Sequence, residues 1–171
     1  KGARYLLEAL SLMPERVRLT IVDEGPPRKT SAFELAKKFG VERRIDFTGK
    51  VDLATLVHLY CTKTLVVVSS LHEGFGLPAA EGMACETAVV STDSGALKEV
   101  MVDGETGYLV PANHPRAMAD AIIKLLSDTA LRTKMGKAGR KRAVELFSWP
   151  AAARNTLDVY RAVIEEFRSG K

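Results

Sequence analysis

The stretch SSLHEGFGLPAAE, Ser69 to Glu81, decides how this chain is read. It continues from Leu65 to Ser69 (LVVVS), a run rich in β-branched residues that predicts a strand buried on both faces of a sheet. Two glycines, Gly74 and Gly76, then allow a tight turn. Pro78 marks the first helical position, where a missing N–H costs nothing. The segment therefore reads as strand, glycine-rich loop and helix, the helix running through about Ala84. The amides of about Gly76 and Leu77, ahead of that helix, point into an open cleft. A helix N-terminus attracts anions through its dipole and its unpaired donors. A diphosphate suits such a cradle, because a backbone without side chains at 74 and 76 can be approached closely.

The two carboxylates of the stretch have different places. Glu73 precedes the glycines, whereas Glu81 is expected in the first turn of the helix. A hydrolase pair needs carboxyl groups about 5 to 9.5 Å apart across one bond, and this spacing gives no such arrangement. Glu81 is better placed to accept hydrogen bonds from a ribose diol, and Glu73 from sugar hydroxyls. The same residues are also compatible with an ordinary turn and a glutamate that complements the helix dipole.

Outward from this loop, helical and strand patterns alternate along the chain. Tyr5 to Met13 reads as a helix and Val17 to Val22 as a strand closed by the turn at Gly25 to Pro27. Ser31 to Phe39 reads as a helix with Gly40 at its C-terminal cap, and Arg44 to Thr48 as a strand. Asp52 caps a helix through Tyr60. Thr87 to Ser91 and Tyr108 to Val110 supply two further strands. Three helices follow, one starting at Pro115, one from about Thr129 to Phe147 and one after Pro150. Alternation of this kind predicts an α/β fold, a doubly wound, Rossmann-like parallel sheet with helices on both faces, and ligands at the carboxyl ends of the strands. The chain opens with Lys1-Gly2 directly before a helix, although such sheets begin with a strand that tends to be central. The expectation is one domain over residues 1–171, cut from a larger protein and lacking its own first strand.

With 171 residues, 46% of them hydrophobic and 27% charged, the chain suits one packed domain and excludes a disordered one. No apolar run approaches the length of a membrane span. The N-terminal KGARYLLEAL lacks the features of a signal peptide. Cys61 and Cys85 lie in different contexts and read as free thiols of a reducing compartment. The three histidines show no ligand spacing, so no metal site is expected. The net charge of +4 permits acidic partners without selecting one.

The resemblance to a known family rests on more than the two glutamates. EGFGLPAAEGMACETAVVSTDSGALKEVMVDGETGYLVP, Glu73 to Pro111, resembles the donor-binding region of the retaining GT-B glycosyltransferases of family four, including their E-x7-E motif. Lys1-Gly2, IVDEGP at Ile21 to Pro26, FTGKV at Phe47 to Val51 and FSW at Phe147 to Trp149 extend the similarity, in order, over nearly the whole chain. The resemblance implies the C-terminal half of a GT-B glycosyltransferase that binds a nucleotide-diphospho-sugar donor. Transfer to the acceptor would keep the anomeric configuration. It gives Glu73 a catalytic place at the donor sugar and Glu81 the ribose. Gly74, Phe75, Gly76 and Leu77 match the segment that holds the sugar and distal phosphate, and Lys50 and Val51 the loop against the base. Lys1 matches the lysine that neutralises the departing diphosphate. No cofactor or metal is implied, and Asp103-Gly104-Glu105 reads as a turn rather than a metal motif.

The acceptor would belong to an N-terminal domain of the same protein, leaving residues 1–171 alone inactive. The resemblance fits cytoplasmic polysaccharide or glycolipid biosynthesis. A domain that binds nucleotides or nucleotide-sugars without catalysis is the alternative. The sequence departs from the pattern at Asp23 and Glu24, at Glu86 and Ala88 where glycine and proline are usual, and at Ala96 and Lys98.

Two other features remain. Arg132 to Arg142 (RTKMGKAGRKR) carries six cations and no acids. It lacks the aromatic interleaving of a nucleic-acid site, so no nucleic-acid partner is expected. It reads as a solvated helix face, with peripheral contact to the anionic inner face of a membrane left open. His72 reads as a hydrogen-bonding loop residue, and Trp149 as a core anchor for the last helix.

Overall fold

The computed structural model describes residues 2–23, 25–26 and 29–169. The order is α1 (Ala3–Ser11), β1 (Leu19–Val22), α2 (Ser31–Lys38), β2 (Ile45–Gly49), α3 (Leu53–Thr62), β3 (Val66–Val68) and α4 (Leu77–Ala84). There follow β4 (Val89–Thr92), α5 (Leu97–Val100), β5 (Gly107–Val110), α6 (Pro115–Ser127), α7 (Thr129–Phe147) and α8 (Trp149–Arg168). The local chemistry explains most boundaries. Thr30, Asp52, Asp128 and Ser148 each cap a helix by accepting from an amide three residues on. Gly40, at φ 67°, ends α2 in the left-handed conformation that glycine tolerates best.

Every strand pair is parallel, as the alternation requires. The strands form two sheets, however: β1 with β2, and β3–β4–β5 with β4 central. Among the described residues nothing pairs with the second edge of β1 or of β3. This corrects the expectation that LVVVS is buried on both faces. β3 is an edge strand, with Val66 and Val67 only half-buried, whereas all four residues of β4 are buried. The described residues therefore form no single continuous sheet.

Helices cover both faces. β4 shows this directly, because neighbouring residues belong to opposite cores. Val90 joins Leu7, Leu10, Met118, Ile122 and Leu125 on the side of α1, α2 and α6. Val89 joins Ala79, Met83, Leu97, Val100 and Ala143 on the side of α4, α5 and α7. α8 stands apart. It spans 20 residues and buries only Ala151, leaving Leu157, Tyr160, Ile164 and Phe167 in solvent. Trp149 is 90% exposed and so does not anchor the core.

α7 differs from the expected solvated basic face. Its Met135, Gly136, Gly139 and Ala143 are buried, so one side of the helix is a packing surface. Three of its six cations are spent on carbonyl groups. Arg132 donates to Leu125 O, Arg140 to Ala84 O, and Arg142 to Val100 O and Glu99 O. Each satisfies the last carbonyls of a neighbouring helix, where a cation also complements the dipole. Lys134, Lys137 and Lys141 are left facing solvent.

Candidate functional site

The carboxyl ends of the parallel strands carry the loops after β1, β2, β3 and β4, and the stretch from Ser69 to Glu81 lies among them. α4 begins at Leu77, with Pro78 its second residue and Gly76 its N-cap. Gly76 takes φ 98°, and a side chain there would also run into Leu97. The turn thus requires glycine twice over, by backbone conformation and by space. The amides of Gly74, Phe75, Gly76 and Leu77 find no acceptor among the described residues. They leave a row of unpaired donors at the positive end of α4.

Both carboxylates are held. Glu73 is half-buried and accepts a 2.9 Å hydrogen bond from the Ser70 hydroxyl. Its carbonyl accepts from Ala96 N at 3.1 Å, and Gly95, at φ 56°, lies so close that a β-carbon would collide with that carbonyl. The β4–α5 loop is therefore a wall of the site, seated directly on the backbone of Glu73. The sequence SGA at Ser94 to Ala96 carried that signal only as a loop on the same edge. Glu81 is not in the first turn of α4, because the helix starts at Leu77 and the glutamate opens its second turn. There its Oε2 accepts from the Tyr60 hydroxyl at 2.9 Å. Tyr60, at the C-terminal end of α3, joins the site although nothing in the sequence marks it. Burial and its bond to Glu81 push its phenol well above the ordinary range, so it stays a protonated donor.

The remaining expected residues are placed as follows. Phe75 is exposed on one side and meets Phe147 edge to face, with ring centroids 5.5 Å apart. Lys50 and Val51 follow β2 at the same edge, Lys50 exposed and Val51 half-buried. Lys1 lies outside the described residues. Its neighbour Gly2 approaches the Ser69 carbonyl so closely that no β-carbon would fit, so α1 begins at the end of β3. His72 is exposed and its ring contacts the carbonyl of Leu71, not Glu73. Asp103, Gly104 and Glu105 form a turn before β5, and Asp103 accepts from Leu109 N.

Away from this edge the structure opens two recesses of about 410 Å³ each, both at the amino ends of the strands. One of them brings together the two cysteines that looked unrelated in sequence. Cys61 and Cys85 line it jointly, and burial together with the neighbouring Cys61 thiol pushes Cys85 up to about 11. Ligands of parallel sheets enter at the other edge, so neither recess competes with the Glu73 loop.

Helices on both faces of parallel strands define a doubly wound α/β domain, with an open, glycine-lined helix start at the carboxyl ends of its strands. Within that class the chain belongs to the glycosyl transferases group 1 family, whose model matches residues 1–142. It is 38% identical over 163 residues to the D-inositol 3-phosphate glycosyltransferase of Xylanimonas cellulosilytica, covering 94% of this chain and 39% of that protein. Among solved structures, sucrose-phosphate synthase from Thermosynechococcus elongatus superposes with a TM-score of 0.84 at 33% identity, over 96% of this chain and 43% of that one. The C-terminal domain of a glycosyl transferase group 1 family protein from Francisella tularensis gives 0.76 at 32% identity, over 87% of this chain and 80% of that domain. The chain thus spans about two fifths of the full-length relatives and most of the isolated C-terminal domain.

Proposed function

We propose that this chain is the donor-binding domain of a retaining glycosyltransferase, taking a nucleotide-diphospho-sugar at the edge formed by Ser69 to Glu81. One observation carries this reading: four successive amides, Gly74 to Leu77, are unpaired between two tethered carboxylates. The amides suit a distal phosphate and the developing charge of a departing diphosphate, where preorganised donors lower the barrier electrostatically. Glu73, fixed by Ser70 and by the Gly95–Ala96 backbone, accepts from hydroxyls of the donor sugar. Glu81 accepts from the ribose, and Lys50 and Val51 lie against the base. Lys1 supplies a cation to the diphosphate, and the leaving group is stabilised without a metal. Relatives named as glycosyltransferases support the transfer reaction.

The acceptor belongs to another domain in this proposal, so the chain alone does not turn over. The unpaired edges of β1 and β3 support the same view, since a strand from a preceding segment of the protein would join the two sheets. No helix among the described residues is long and apolar enough to cross a membrane, and the free thiols suit a reducing compartment.

Calorimetry with UDP, GDP and ADP and with their sugars tests donor binding. One nucleotide should bind clearly better than the others, and turnover by a longer chain should be lost on Glu73→Gln. Absence of binding by all of them would sink the proposal. Binding with full turnover by Glu73→Gln would leave a nucleotide site and remove Glu73 from the chemistry.

A further inference from the structure

Tyr60 holds Glu81 from a different helix. Its hydroxyl donates to Glu81 Oε2 at 2.9 Å, while its carbonyl accepts from the Thr87 hydroxyl at 2.6 Å. Thr87 is buried at the entry to β4, and its amide donates to Gly82 O at the end of α4. Tyr60 is therefore fixed at both ends, with its backbone tied to the α4–β4 connection and its phenol tied to a side chain midway along α4. The Glu81 carboxylate makes no other hydrogen bond and no ion pair among the described residues. An ionised carboxylate accepts only, on about four lone-pair sites. One bond from Tyr60 selects its rotamer and leaves Oε1 free for incoming donors.

We infer that Tyr60 is the positioning residue for ribose recognition, holding the Glu81 carboxylate so that it accepts from both hydroxyls of the nucleotide's diol. This rests on the assignment of Glu81 to the ribose made above. The chemistry fits the part. Tyr60 stays protonated, so it donates to one lone-pair site of Glu81 and leaves the carboxylate's charge intact. A lysine or arginine in its place would neutralise the carboxylate and weaken its acceptance. Without the phenol, the half-buried Glu81 side chain would lose the bond that selects its rotamer. Each binding event would then have to order it again.

The test is a calorimetric comparison using nucleoside diphosphates and their 2′,3′-dideoxy counterparts. For the nucleotide that wild type prefers, Tyr60→Phe should raise Kd about tenfold, the scale of one hydrogen bond to a charged group. The dideoxy ligand should bind wild type and Tyr60→Phe equally. In a Glu81→Gln background, Tyr60→Phe should add little further loss. A merely structural role would weaken both ligands alike and would add to Glu81→Gln, and that outcome overturns the inference. Unchanged affinity of Tyr60→Phe for the ribose form overturns it too. Failure of wild type to bind any nucleoside diphosphate removes the donor-domain reading itself, and this inference with it. Thermal unfolding of each variant separates loss of fold from loss of contact.

Discussion

Replacing Gly136 by alanine sets two effects of opposite sign against each other. On an exposed helix the change is favourable, because alanine exceeds glycine in helix propensity by about 1 kcal/mol. Gly136 is buried in α7, however, and a β-carbon there would collide with the Glu86 carbonyl oxygen and lie 3.0 Å from its carbon. The obstructing group is backbone and cannot rotate away. The loop behind it is also held, since Glu86 N donates to Met83 O at 2.9 Å and Thr87 N to Gly82 O at 3.0 Å. Overpacking costs about 1–3 kcal/mol, and a pinned carbonyl belongs at the upper end. Subtracting the propensity gain leaves a net loss of about 2 kcal/mol, which for a domain of this size lowers Tm by about 4–8 °C. Gly139→Ala is the comparator. There the β-carbon meets Met83 Cγ at 3.1 Å, a contact relieved by a shift of a few tenths of an ångström and offset by the propensity gain of about 1 kcal/mol, so the net change should stay below about 1 kcal/mol. Thermal unfolding followed by circular dichroism reads both. A Tm for Gly136→Ala equal to or above that of the parent would refute the close approach of α7 to this loop.

The same loop supplies a second expectation. Glu86 adopts φ 61°, where a side chain costs about 1–2 kcal/mol and glycine little. After the extra unfolded-state freedom of glycine, Glu86→Gly should stabilise by about 0.5–1 kcal/mol, whereas Glu86→Ala should not. Equal melting points for the two variants would contradict this. A third concerns the cations of α7 that no carbonyl occupies. If they meet an anionic membrane, the protein should co-sediment with anionic but not neutral vesicles, and replacing Lys134, Lys137 and Lys141 by Gln should abolish it. Indifference to vesicle charge, or no sedimentation at all, rules that contact out.

Local chemistry made much of this domain legible. Strand, glycines and proline between Leu65 and Ala84 gave the loop and the helix after it, and Asp52 announced α3 correctly. The alternation of elements implies parallel pairing, and the motifs from Glu73 to Pro111 carry the family. Long-range partners were not legible in the same way. Nothing in the spacing of Tyr60 and Glu81 says that α3 ends beside α4, and Cys61 and Cys85 meet for the same reason. Tertiary packing also reassigned residues whose composition suggested something else. The basic run on α7 conceals a glycine face against α4, and half its charge serves helix ends. Trp149, large and apolar, stands in solvent because α8 leaves the domain. The error over LVVVS has a similar cause. A β-branched run reports what a strand requires, and the described residues supply only one of its two neighbours.

The bare side of β3 has a consequence for how the isolated chain behaves in solution. Edge strands template the addition of further strands, and proteins usually blunt them with proline, lysine or a bulge. Val66, Val67 and Val68 carry none of these, and their pairing with β4 runs in unbroken register. Self-association of this domain at high concentration should therefore start at β3, by one chain lending backbone to another. Capping that edge with a strand would do more for its solubility than adding surface charge.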